Sequence, residues 1–367
     1  MKLYGLCVNY WFKIMRNKKF KKIKLLTRVL GILILIVFCL HILGSLWNKK
    51  VPKDGINESR YLDINGSKQW INIYGKDKNN PVILYLHGGP GSSTSEIDYV
   101  FTRKWADIYT IVTWDQRNCG KSYDKSQKTR ELTKKMLLED GKELTEYIRN
   151  YLKVDKITIL GHSWGSIYGA NLVQEYPDYY NLFIGVGQLV DIVENEKAFK
   201  KEAIKWAKND EETLKLIEKL SPEEMTEDSI VAKNKILKKY GYNITKDKVD
   251  FFLPGTILFN PNYSIKDWIG YFKRDRQMYL NFFPSDEYKS FSLKGKYKYQ
   301  VPYININGDM DYQVNHKLAE EYYNKIHAPL KDLYIMKNTR HGLMISKSKE
   351  FSELLHKIYF KYKWIYQ

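Results

Sequence analysis

The stretch Ile157-Thr158-Ile159-Leu160-Gly161-His162-Ser163-Trp164-Gly165 decides how the rest of the chain is read. Its apolar and β-branched start predicts a strand buried on both faces. A glycine-flanked serine then predicts a sharp turn, and the apolar pattern over 164–176 predicts a helix. G-x-S-x-G between strand and helix presents a serine hydroxyl at the carboxyl end of a sheet. Gly161 and Gly165 have a steric reason, because side chains there would collide with neighbouring strands and helix. The helix starting at Trp164 adds favourable potential for developing negative charge.

Working outward, further strand-like runs appear at Val82–Leu86, Tyr109–Trp114 and Leu182–Val186. Shorter ones at Tyr61–Ile64 and Trp70–Tyr74 flank the turn Asn65-Gly66. Leu132, Met136, Leu137, Leu144, Ile148 and Tyr151 recur at helical spacing, predicting a helix over 131–152. Strands alternating with helices imply a mostly parallel sheet covered on both faces. The alternation stops near residue 190 and resumes with Tyr303–Ile306, a helix at 315–326, a strand at Leu333–Met336 and a helix at 348–363. So long a gap is no ordinary connection. It reads as an inserted helical domain, here called the cap. The resulting division is 59–190 and 300–367 for the two parts of the core, and 191–299 for the cap. Cap aromatics (Trp206, Phe251, Phe252, Trp268, Tyr271, Phe282, Phe283) are expected to form its core, some lining a pocket for an apolar or prolyl side chain. Ser221-Pro222-Glu223-Glu224 reads as a helix-capping box.

A nucleophilic serine needs a base, an orienting carboxylate and an oxyanion hole. In a chain built this way the order is serine, acid, histidine. His341, in the loop after the strand 333–336, is the expected base. Asp311, a few residues beyond the strand 303–306, is the expected acid, with Asp309 as a turn residue. His162 is expected to point off the opposite side of the turn. The loop His87-Gly88-Gly89-Pro90-Gly91 follows the strand 82–86. Gly89 in that loop and the residue after the serine, Trp164, are the expected backbone N–H donors to the oxyanion. His87 is read as shaping its loop. Such a triad supplies nucleophile, base and electrostatics itself, so no metal or organic cofactor is expected.

The charge is distributed unevenly. Of 60 Lys and Arg residues, twelve fall within residues 1–53, which carry no acid. They leave a net charge of only +6 over residues 54–367, out of +18 for the whole chain. A basic nucleic-acid-binding face is therefore not indicated. From Val29 to Asn48 no residue is charged, and nineteen residues of helix span about 28 Å, close to a bilayer core. That run is longer than the apolar core of a cleaved signal peptide, and no A-x-A follows it. Residues 29–48 are thus expected to anchor the chain in the membrane. Residues 1–28 form a basic cytoplasmic tail, because nine basic residues precede the run and three follow it. Residues 49–58 read as a short stalk leading to an outward-facing domain. Three cysteines, of which only Cys119 lies beyond residue 53, exclude a disulfide scaffold.

His87–Gly91, Asp115-Gln116-Arg117-Asn118-Cys119-Gly120-Lys121-Ser122 and Gly161–Gly165 together resemble the α/β-hydrolase superfamily. Within it they resemble the proline iminopeptidase-like serine aminopeptidases, which carry HGGPG, DQRG-x-G-x-S and G-x-S-W-G. The resemblance implies an α/β-hydrolase fold with an inserted helical cap, here preceded by one transmembrane helix. It also implies release of N-terminal residues from peptides, and stabilisation of a loop by ion pairing of Asp115 and Arg117. Asn118 stands where the family has glycine, and asparagine accepts a positive φ. No acidic pattern in the cap matches the family's amine-binding glutamates. The alternatives are the same machinery acting on a small-molecule ester, lactone or acyl amide, or a catalytically silent surface binding protein on this scaffold.

Overall fold

The computed structural model describes residues 2–244 and 259–366, with side chains from Lys21 onward. Phe251 and Phe252 lie outside the described residues. Two compact units are distinguished, the first containing residues 1–49 and the second beginning at Lys50. In the first, α1 (Lys2–Asn48) is one continuous helix. Its segment Lys21–Asn48 is long and apolar enough to cross a membrane.

The second unit holds an eight-stranded sheet. Its strands are β1 (Ile56–Ile64), β2 (Ser67–Gly75), β3 (Val82–Leu86), β4 (Thr110–Asp115), β5 (Ile157–His162), β6 (Tyr180–Val186), β7 (Tyr303–Gly308) and β8 (Lys331–Met336). The order is β1-β2-β4-β3-β5-β6-β7-β8. β1 and β2 pair antiparallel, as do β2 and β4, and the remaining pairs are parallel. Asn65 and Gly66 both take positive φ in the β1–β2 turn, as a tight hairpin requires. Pairing starts at Ile56, inside the stretch 49–58 that the sequence reads as a stalk, so strand β1 takes up part of that stretch.

Every residue of β3 is buried because both faces of the sheet are covered. Val82, Leu84 and Leu86 face one apolar cluster, and Ile83 and Tyr85 face another, as the two-residue period dictates. The first cluster includes residues of α3 (Lys134–Leu152) and α4 (Trp164–Glu175), after the short α2 (Asp98–Thr102). Thr133 caps α3 by accepting the Met136 N–H, so this helix begins three residues later than the apolar pattern predicts.

Residues 191–299 contain α5 (Ile192–Ala207), α6 (Glu211–Glu218), α7 (Glu227–Lys239), α8 (Ile265–Phe272), α9 (Gln277–Phe282) and α10 (Asp286–Lys289). α11 (His316–Lys325), α12 (Leu343–Ser346) and α13 (Ser348–Lys361) complete the core. The segment 221–224 is a turn, which corrects its reading as a capping box. Thr226 is the residue that caps α7, accepting the Ser229 N–H. Glu223 instead pairs with Lys197.

Candidate active site

Ser163 sits between β5 and α4 with φ 57° and ψ −120°. A non-glycine residue held there is strained by about 1–3 kcal/mol, and such strain persists only where the surroundings over-determine it. They do so here. The Ser163 N–H donates to the Val186 carbonyl on β6. A Cβ on Gly161 would lie 2.1 Å from the Gly165 carbonyl oxygen, and one on Gly165 2.1 Å from that of Leu86. The backbone therefore turns too tightly at both positions for any side chain.

His341 and Asp311 meet beside this turn. The His341 Nδ1 lies 2.7 Å from the Asp311 Oδ2, and both residues are buried, at 4% and 1% exposure. Asp311 Oδ1 accepts the Val314 N–H, which orients the carboxylate. The Met310 N–H donates to Thr339, tying the two loops together, and Gly308 is needed because a Cβ there would meet the Thr339 carbonyl at 2.2 Å. A Cβ on Gly187 would stand 3.3 Å from both the Asp311 carboxylate and the His341 ring. Asp309 faces elsewhere and accepts the Thr339 N–H.

His162 does not point away from the pair, contrary to the sequence reading. Its ring centroid is 4.7 Å from that of His341, and its Nε2 is 2.9 Å from the His341 carbonyl oxygen. A carbonyl only accepts, so His162 Nε2 carries the proton. Desolvation and the neighbouring imidazole push its pKa down to about 3, which keeps it neutral.

The loop His87–Gly91 runs against the serine, since a Cβ on Gly88 would be 3.3 Å from the Ser163 Cβ. Gly89 has φ 121°, and the Gly89–Pro90 peptide is cis. Tyr279 of α9 packs over Gly91, where a Cβ would meet its ring at 2.5 Å. Trp164 is buried under the cap, 4.7 Å from the ring of Phe291 and 5.5 Å from that of Tyr288.

Arg117 forms a buried ion pair as expected, but with Asp140 and not with Asp115, which has no ion pair among the described residues. Arg117 makes a fully buried two-pronged bridge to Asp140 of α3, with both contacts at 2.7 Å. Asp115 accepts from the Ser95 hydroxyl and the Lys121 N–H. Asn118 takes φ 53°, in the left-handed region. Sequence reasoning passed over Glu96, which is buried beside Ser93 and Tyr271. Desolvation pushes its pKa up to about 8, that of Asp98 to about 7 and that of Asp115 to about 6. A cavity of about 310 Å³ lined by Lys156, Pro177, Tyr180 and Pro302 lies at the amino ends of β5–β7, the opposite end from Ser163.

A strained serine after the fifth strand, a buried Asp–His pair beyond the seventh and eighth, and a cap inserted after the sixth define the architecture. This is the α/β-hydrolase fold. The α/β-hydrolase family pattern matches residues 81–217 of this hydrolase-fold chain. A probable aminopeptidase of Bacillus subtilis is 34% identical over 146 residues, which is 39% of this chain and 45% of the relative. Proline iminopeptidase of Neisseria gonorrhoeae is 30% identical over 123 residues, or 33% of this chain and 36% of the relative. The matched stretch thus spans less than half the length of these relatives. The crystal structure of proline iminopeptidase from Mycobacterium smegmatis superposes with a TM-score of 0.57, covering 83% of this chain and 98% of that one. At 15% identity that likeness speaks to the fold alone.

Proposed function

We propose that this chain is a membrane-anchored serine hydrolase that releases an N-terminal residue such as proline from peptides. The observation that carries the reading is the buried Asp311–His341 pair at 2.7 Å beside the strained Ser163 turn. In the proposed reaction the Ser163 hydroxyl attacks the carbonyl carbon while His341 Nε2 takes its proton. Asp311 accepts the Nδ1–H of His341, which fixes the tautomer and stabilises the imidazolium. The Gly89 and Trp164 backbone N–H groups stabilise the oxyanion. His341 then protonates the leaving amine, and water attacks the acyl-enzyme by the same route in reverse. The names of the relatives support a peptide substrate, although the alignment leaves out more than half of each.

The apolar segment 29–48 supports an anchor, and the charge asymmetry around it supports a cytoplasmic N-terminus. Protease treatment of intact cells tests the orientation: the catalytic domain is removed, whereas a protected domain contradicts it. A fluorophosphonate probe is expected to label the wild type and not Ser163→Ala. Comparing Pro-, Ala- and Leu-naphthylamides with short p-nitrophenyl esters separates an aminopeptidase from an esterase.

A further inference from the structure

We propose that Gln116 is a positioning residue that holds both halves of the oxyanion hole in register, acting on the Gly89 side through His87. The proposal rests on the serine-hydrolase reading, adds Gln116 to it and says how His87, already read as shaping its loop, would act.

β4, β3 and β5 are neighbours in the sheet, and their carboxyl ends carry Gln116, His87 and the Ser163–Trp164 turn respectively. Gln116 is 2% exposed and reaches across all three. Its backbone N–H donates to His87 Nε2 at 3.2 Å. Its side-chain amide donates to the His87 carbonyl at 3.3 Å, and its Oε1 accepts the Trp164 indole N–H at 3.1 Å. One buried side chain therefore links the His87 loop to the first residue of the helix that follows Ser163.

His87 carries the constraint one step further. Its Nδ1 is 2.7 Å from the Gly88 carbonyl oxygen, so Nδ1 bears the proton and Nε2 is left to accept from Gln116. Burial holds this ring neutral, with a pKa lowered to about 4. The Gly88 carbonyl and the Gly89 N–H belong to one planar peptide and point in opposite directions. Pinning the carbonyl therefore aims the N–H. An oxyanion hole works because its donors are oriented before charge develops. Disordering them weakens the transition state more than substrate binding, so kcat falls while KM stays.

The test uses the full-length chain in nanodiscs with p-nitrophenyl acetate, a substrate that needs the oxyanion hole whichever acyl group the enzyme prefers. Gln116→Leu keeps most of the volume and removes both side-chain bonds. Its kcat is expected to fall about 10- to 100-fold with KM within about twofold. The inhibition constant of a trifluoromethyl ketone, whose adduct carries an oxyanion, is expected to rise in parallel. His87→Leu is expected to lose kcat similarly, whereas His87→Asn, whose amide reaches the place of Nδ1, recovers at least part of it. This pair keeps the test decisive should Gln116→Leu not fold. Wild-type kcat in a folded Gln116→Leu, a change confined to KM, or equal losses in His87→Leu and His87→Asn would each overturn the proposal. If the wild type itself shows neither hydrolysis nor fluorophosphonate labelling, the serine-hydrolase reading falls, and this proposal falls with it.

Discussion

At the carboxyl end of the sheet, Asp311, His341, Arg117, Asp140 and Gln116 are all at most 4% exposed, and each is bonded to a group on another strand, loop or helix. The cap is fastened differently. Among the described residues one cap ion pair, Lys233–Glu196, is largely buried, while others such as Lys197–Glu223 and Lys239–Glu212 join side chains that are 36–78% exposed. A small apolar cluster around Phe199, Ala203 and Ile236 holds α5 to α7 together. Removing one partner of a buried pair strands an uncompensated group, whereas an exposed pair contributes little. The sheet end is thus built to fix a geometry, and the exposed face of the cap to tolerate change. Reactivity is expected to follow the first and substrate choice the second.

The largest effect that could break this contrast lies in the two neighbouring aspartates. Asp311→Asn is expected to lower kcat about 10⁴-fold by disturbing the His341 tautomer, while Asp309→Asn stays within a few-fold. Equal losses in steady-state assays would mean that the acid has been misassigned.

A smaller effect is predicted for stability. Gly165→Ala forces a methyl against the Leu86 carbonyl and is expected to cost about 1–3 kcal/mol in denaturant unfolding. Gly270→Ala in α8, where a Cβ meets only open space, should be neutral or stabilising. Similar midpoints for the two variants would contradict the packing argument.

What could be read from the chain in advance follows the same division. Glycines at 161 and 165, buried β-strand runs and the strand–serine–helix order reflect local sterics and periodicity, so they are legible from neighbours in sequence. The partner of Arg117 was not, because Asp140 lies 23 residues on, inside a helix whose apolar stripe drew the reading. The surroundings of His162 are not legible locally, because the loop that brings His341 against it lies 179 residues on. The capping box at 221–224 matched a local pattern, yet Thr226 capped the helix instead. Gln116 reaches across three strands that are far apart in sequence, and no local pattern reports such a span.

The buried carboxyls also set the pH dependence of stability. Glu96, Asp98 and Asp115 have folded pKa values raised to about 8, 7 and 6, above the ordinary carboxylate range. Between that range and the raised values the native state holds protons that the unfolded chain has released, so stability falls as pH rises. His87 and His162, lowered to about 4 and 3, act oppositely, but only below about pH 6.5. Melting temperature should therefore decline from pH 6.5 to 8, and Glu96→Gln should flatten the decline. A wild-type curve rising across that window would contradict the buried acids.

The smallest effect belongs to the cap surface. Lys197→Ala is expected to leave the melting temperature within scatter of the wild type in both low and high salt, and a clear loss would mean that the cap is tied down more firmly than its exposure implies.

Ser163 is proposed as the nucleophile, with Asp311 and His341 activating it. Fluorophosphonate labelling of the full-length chain, with the adduct located by peptide mass spectrometry, addresses this directly. One adduct on Ser163, absent in Ser163→Ala and formed much more slowly in Asp311→Asn, is the predicted result. An unlabelled wild type, or a Ser163→Ala variant labelled as readily as the wild type, would contradict it.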